Sequence, residues 1–268
     1  MIHMPRSNLP DDSPKKYPPP DLFVNKALEY VQEAANKNIT LRIMGGLAIY
    51  LHSKNCEGLW GSLGRLGEKV FTDIDFMSYS YLNSKILEFF KKKGYSYEQD
   101  FLNIGRKRLI FTGGAVPMID VFFDKLEMCH VINLKDRLKV DSPTIPLADL
   151  LLEKLQIVRI NEKDIKDVIV LLRAHNVGEN DEDTINIKYI ANLFYDDWGF
   201  YYTATTNLEK VRRYLDGCNV LTDKDRIDIA NKINTIIAEV NSAPKSLRWK
   251  IRAKVGPRKK WYQEVDEV

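Results

Sequence analysis

Three acidic residues stand where metal-assisted phosphate chemistry would need them. Asp73 and Asp75 form an Asp-x-Asp pair in TDIDFMSY (72–79), and Asp120 sits in the otherwise apolar run MIDVFF (118–123). Side chains two residues apart on a strand project from the same face. Asp73 and Asp75 are therefore expected to point together, with Ile74 and Phe76 turned into a core. Aspartate is a poor strand former, and two like charges on one face repel. A hard divalent cation removes that cost, and carboxylate and phosphate oxygens are the ligands Mg²⁺ (or Mn²⁺) prefers. No Lys or Arg lies within the motif to take its place. If the strand carrying Asp120 lies beside the Asp-x-Asp strand, the three carboxylates converge on one spot and could hold a pair of metals.

Phosphate binding has its own candidate. Gly45 and Gly46 follow ITLRIM (39–44), read as a short strand, and precede LAIYLHS (47–53), read as a helix. A strand that ends in two glycines lets backbone approach a phosphate closely, and the next helix offers N–H groups at its positive end.

The elements that must hold these residues read as an α/β arrangement, a mixed sheet with flanking helices followed by a helical C-terminal domain. Apolar spacing predicts a helix over 21–38, with Asp21 as N-cap, and another over 81–94 closed by Gly94. Residues 54–70 hold four glycines without a clean period and read as a mobile loop. YSYEQDF, KRLIFT and PMIDVFF read as strands, with Gly113-Gly114 as a hairpin signal between the last two. From Pro146 to about Val240 the spacing is helical. The expected divisions are an extended leader over 1–21, an α/β domain over 22–142, a helical domain over 143–244 and a basic segment over 245–268.

Composition excludes several classes. The 268 residues are 44% hydrophobic and 29% charged, ordinary for a globular chain. No apolar run is long enough for a membrane span, and the first twenty residues have no secretory core. Cys56, Cys129 and Cys218 are odd in number and widely spaced, which suggests neither a disulfide framework nor a zinc cluster and fits a reducing cytoplasm. The four histidines are scattered. His52 is expected to pack rather than react. No Gly-x-x-x-x-Gly-Lys-Ser/Thr and no Gly-x-Ser-x-Gly occurs.

In this order and context, IMGGLAIYLHS, TDIDF and MIDVFF resemble the nucleotidyltransferase fold of the DNA polymerase β superfamily, and within it the AbiEii/AbiGii-like group. LLEKLQIVRINEKDIKDVIVLL (151–172) strengthens the likeness, which covers roughly residues 25–175. The resemblance implies a nucleotidyltransferase that moves a nucleoside monophosphate from an NTP to an acceptor and releases pyrophosphate. Gly45 and Gly46 match the phosphate motif, Asp73, Asp75 and Asp120 the catalytic metal ligands, and Lys154 the lysine that meets the triphosphate. Asp164 and Asp167 match a Lys-Asp-x-x-Asp segment that positions the nucleotide or the lysine. Lys69 stands where the group often has an arginine, with Arg65 close enough to substitute, and Gly46 stands where many members have serine. The group is often found in toxin–antitoxin or phage-defence operons, which implies a cognate toxin or antitoxin as partner.

The net charge of +3 is unevenly spread. Residues 245–260 carry eight Lys or Arg and no acid, interleaved with Trp249 and followed by Trp261 and Tyr262. Cations for phosphates and rings for bases suit an RNA or tRNA acceptor. A C-terminal helix with packed Trp side chains and solvated cations explains the same residues. FYDDWGFYYTATTNL (194–208) similarly reads as helical core or as the wall of a base site. The competing function for the whole chain is a non-catalytic nucleotide- or RNA-binding partner that keeps the fold. Its sequence signature would be loss of a carboxylate, and all three are present.

Overall fold

The computed structural model describes residues 17–64, 70–98 and 108–265. Its centre is a five-stranded mixed sheet built from β1 (Arg42–Met44), β2 (Ile74–Ser78), β3 (Ser96–Glu98), β4 (Arg108–Thr112) and β5 (Met118–Phe123), in the order β1-β2-β5-β4-β3. β2 and β5 run parallel, and every other pair is antiparallel. The alternation in β2 and β5 gives the sheet two unlike faces. One carries Ile74, Phe76, Ile119 and Val121, all fully buried. It packs on α4 (Asn83–Lys92), whose Phe90 lies 6.1 Å from Phe76 and 4.9 Å from Phe111, ring centre to ring centre. Tyr30 of α1 (Pro20–Ala35) meets Phe90 edge-on and closes this layer. The opposite face carries Asp75 and Asp120.

Local signals set most element ends. Proline fills the first position of α1, where its missing N–H costs nothing, so the helix starts at Pro20 with Pro19 outside it. Asp21 is thus not the N-cap; it lies in the first turn and helps only through its charge. Gly94 takes φ +85 after α4, and the Tyr95 N–H bonds back to the Phe90 carbonyl, the closure expected of that glycine. The first strand is shorter than its apolar run. Asn38 turns the chain at φ 56, and β1 begins only at Arg42. The segment read as a loop from 54 to 70 is mostly ordered through Gly64: a 3₁₀ turn over Lys54–Cys56 leads into α3 (Glu57–Leu63). Trp60 and Leu63 are buried there, and that burial outweighs the glycines. Lys69 and Arg65 lie outside the described residues.

α2 (Gly45–His52) leaves β1 directly and lies against α5 (Leu147–Leu155) and α6 (Glu162–Ala174). Residues 143–145 hydrogen-bond onto the free edge of β1: the Ile43 N–H donates to Pro143 O at 2.9 Å and the Ile145 N–H to Ile43 O at 3.0 Å. His52 serves this junction. Its Nε2 lies 2.6 Å from Thr144 Oγ1, and its ring meets His175 edge-on at 5.7 Å.

The rest is mainly helical: α7 (Ile187–Leu193), α8 (Trp198–Gly217), α9 (Asp223–Ser242) and α10 (Leu247–Val255). Two small two-stranded sheets accompany it: β6 (Lys125–Glu127) with β7 (Val131–Asn133) before α5, and β8 (Asn176–Gly178) with β9 (Thr184–Asn186) between α6 and α7. Phe194, Trp198 and Phe200 of the aromatic run are buried, while Tyr195 is half exposed and Tyr201 and Tyr202 are half-buried. Among the described residues no helix is long and apolar enough to cross a membrane, and all three cysteines are free.

Candidate active site

Asp75 and Asp120 are register partners on the parallel β2–β5 pair and project from the same face of the sheet. Asp73 precedes β2 by one residue and accepts a hydrogen bond from Thr72 Oγ1 at 3.1 Å. Burial pushes the Asp75 carboxyl well above the usual carboxylate range, and the charges of Asp73, Asp120 and Glu153 add to the push. The three acids singled out in the sequence are thus near enough to sense one another.

Gly45 belongs to the same place. Its φ is +71, and a Cβ added there would lie 2.5 Å from Asp75 Oδ2. The residue must be glycine both for its backbone angle and for its approach to the carboxylate. Its N–H is not open to a phosphate, however. It donates to Glu153 Oε2 at 3.0 Å, a carboxylate that α5 delivers to the start of α2. Glu153 is a site residue that the sequence did not reveal, since it reads as one more charge beside Lys154.

Lys154 is enclosed rather than exposed to a cleft. It is 6% exposed, and its Nζ lies 3.5 Å from Glu153 Oε1 and 3.4 Å from both Asp164 Oδ1 and Asp167 Oδ2. Asp164 is fixed in the first turn of α6, where Asn161 caps the helix by accepting from the Asp164 N–H. Asp167 follows three residues later on the same face. Asp164 and Asp167 therefore hold the lysine. Lys154 also draws the Asp75 carboxyl downward, so a cation absent from the motif in sequence is supplied by α5 in space.

Asp120 is engaged too. Arg108 Nη1 donates to Asp120 Oδ2 at 2.7 Å, and both side chains are largely buried. Arg108 lies on β4 opposite Phe122, two residues along the β5 partner strand from Asp120 on the same face. It too went unread in the sequence. Alternation places it on the acidic face, but only the strand order makes that face its neighbour's.

Together Asp73, Asp75, Asp120, Glu153, Asp164 and Asp167 are six carboxylates, met by the two cations Lys154 and Arg108 among the described residues. The donor set is all hard oxygen, the ligand chemistry that a divalent cation such as Mg²⁺ prefers. As the side chains stand, no group of three or more His, Cys, Asp or Glu among the described residues is drawn together into a metal cage. Asp120 reaches toward Arg108 instead.

No protein-family profile matches the chain, and no curated protein does. Several solved structures are similar to it in part, two of them as follows. One is the antibiotic-resistance factor ANT(2'')-Ia, with 13% identity, a TM-score of 0.38, and cover of 65% of this chain and 92% of that one. The other is an antigenic nucleotidyltransferase-like protein from Paracoccidioides brasiliensis, with 14% identity, a TM-score of 0.36, and cover of 69% and 92%. Likeness at this level bears on neither residues nor chemistry.

Proposed function

We propose that this protein is a divalent-metal-dependent nucleotidyltransferase that uses the acidic face of its sheet to transfer a nucleoside monophosphate from an NTP. The observation that carries the reading is the register of Asp75 against Asp120 on adjacent parallel strands, with Asp73 and Gly45 beside them. In the proposed reaction an acceptor oxygen attacks the α-phosphorus, a new P–O bond forms, the bond to the β-phosphate oxygen breaks, and pyrophosphate leaves. In this reading Asp120 would help take the acceptor's proton, and Asp73, Asp75 and Asp120 would hold Mg²⁺ or Mn²⁺. Such an ion, when bound, polarises phosphate oxygens and neutralises the carboxylates. Lys154 and Glu153 set the charge and position of the Asp75 side of the site from the helical layer.

The EC 2.7.7 type, the AbiEii-like grouping, a toxin or antitoxin partner and an RNA or tRNA acceptor belong to this proposal as extensions of the sequence resemblance. For the acceptor, Trp249 and Trp261 both have partners on the body: Trp249 meets Tyr201 edge-on, while Trp261 meets Tyr202 edge-on and donates to Thr203 Oγ1. A protein or small-molecule hydroxyl fits the site as well as RNA.

A second reading, a non-catalytic partner that retains the fold, is favoured by three engagements: Asp120 with Arg108, the Gly45 N–H with Glu153, and Lys154 with its carboxylates. Incubation with each α-labelled NTP, Mg²⁺, and separate RNA, protein and metabolite fractions of a cell extract distinguishes the two. Label transfer by wild type and none by Asp73→Ala/Asp75→Ala supports the enzyme. Transfer that survives the double substitution overturns the assignment of the carboxylates.

A further inference from the structure

α10 presents an apolar stripe that the rest of the described chain leaves open. Leu247, Ile251 and Val255 recur every fourth residue and are 73, 57 and 42% exposed. Single exposed aliphatics are ordinary, but three in register on one helix are not. They form one wall of a groove of about 810 Å³, and Leu193, Trp198 and Trp261 line it from the body.

The helix is fixed to the body by a few contacts, since none of its residues is buried. Ser246 caps it by accepting from the Trp249 N–H, and the Ser246 hydroxyl donates to Asp196 Oδ1. Trp249, on the far side from the stripe, packs on Tyr201, and the Arg252 guanidinium lies 4.5 Å above the centre of Trp198. These contacts turn the apolar stripe away from the body.

Charge says what fits it. Helical spacing sets Arg248 and Arg252 along one border of the stripe and Lys250 and Lys254 along the other, in a segment of eight cations and no acid. Lys259 also lines the groove, and of the groove's two acids Asp196 pairs with Arg248 while Asp197 caps α8 by accepting from the Phe200 N–H, so both are already engaged. Arg248 reaches Asp196 at 3.3 Å but is 84% exposed in its side chain. We propose that this groove docks an amphipathic helix of a protein partner, with an apolar stripe flanked by Asp and Glu. Nucleic acid would use the cations but leave the aliphatic stripe in water.

The test measures anisotropy of labelled synthetic helices against the full chain at physiological salt. One helix carries leucines every third or fourth residue bordered by Glu, and a second carries Lys in place of Glu. A single-stranded oligoribonucleotide is the third probe. The Glu helix should bind saturably and the Lys helix should not. Leu247→Ser/Ile251→Ser, at exposed sites, should weaken the Glu helix about tenfold or more. Lys250→Glu/Lys254→Glu should move the preference to the Lys helix. Equal binding of the Glu helix to wild type and the serine variant, or no binding, overturns the proposal. Tight oligoribonucleotide binding that is lost in the serine variant also overturns it, in favour of a nucleic-acid surface.

Discussion

Asp75 illustrates the conflict between folding and the proposed chemistry. Its carboxyl is pushed up by burial first and then by Asp73, Asp120 and Glu153, so the ionised form opposes folding. A raised carboxylate pKa means that the stability contribution is fullest in acid and is lost as pH rises through the folded-state value. In chelator at neutral to alkaline pH, Asp75→Asn should therefore be more stable than wild type by ~1 kcal/mol, with the gap closing as the pH is lowered. Urea unfolding at several pH values measures this, and a less stable Asn variant would contradict it. Lys154 behaves oppositely. Replacing it with the similarly sized methionine removes the cation that Glu153, Asp164 and Asp167 share. The expected loss is about 3 kcal/mol or more, because taking one partner out of a buried charge cluster is costly. An unchanged unfolding midpoint for Lys154→Met would show that the cage contributes nothing.

At the scale of elements, glycines separate site from scaffold. Gly45→Ala forces a side chain into φ +71 and against Asp75 Oδ2, and should cost at least ~1–3 kcal/mol and disturb the acidic face. Gly58→Ala in α3 meets no atom within 4 Å and should be neutral or stabilise by up to about 1 kcal/mol. Thermal melts of the two variants check the contrast, and equal effects would remove the special role given to Gly45. The same elements mark what was legible in the sequence. β2, β5 and their acids stand out because an Asp in an apolar alternating run is conspicuous, and β5 does lie beside β2 with Asp75 opposite Asp120, although as the side chains stand the three carboxylates do not gather into a metal cage among the described residues. α3 was hidden by its glycines, since buried Trp60 and Leu63 act through tertiary contact that local propensity does not contain. Arg108 and Glu153 escaped for a related reason. Each is an ordinary charge in its own element and gains meaning only from a neighbour that strand order or helix packing supplies. The three-residue strands β6 to β9 are too short to carry a period.

Across the whole molecule, His130 ties the β6–β7 hairpin to the helical layer. Its Nε2 lies 2.8 Å from Thr203 Oγ1, its ring stacks 4.9 Å from Phe200, and its backbone N–H donates to Gln156. Burial pushes its imidazole down from 6.5 to about 4. A depressed folded-state pKa contributes stability that is present above pH ~6.5 and is lost as pH falls toward about 4. Wild type should lose up to ~3 kcal/mol from this group over that window, and His130→Phe should lose correspondingly less. Parallel pH profiles for the two would contradict the assignment. The central claim, however, is that the acidic face binds a metal–nucleotide complex. Its most direct measurement is calorimetric titration of each NTP into the full chain with and without Mg²⁺, for wild type and Asp73→Ala/Asp75→Ala. The account predicts Mg²⁺-dependent binding of at least one NTP that disappears in the folded double variant. Binding that persists in that variant, or a folded wild type that binds none of the four with Mg²⁺, would contradict it.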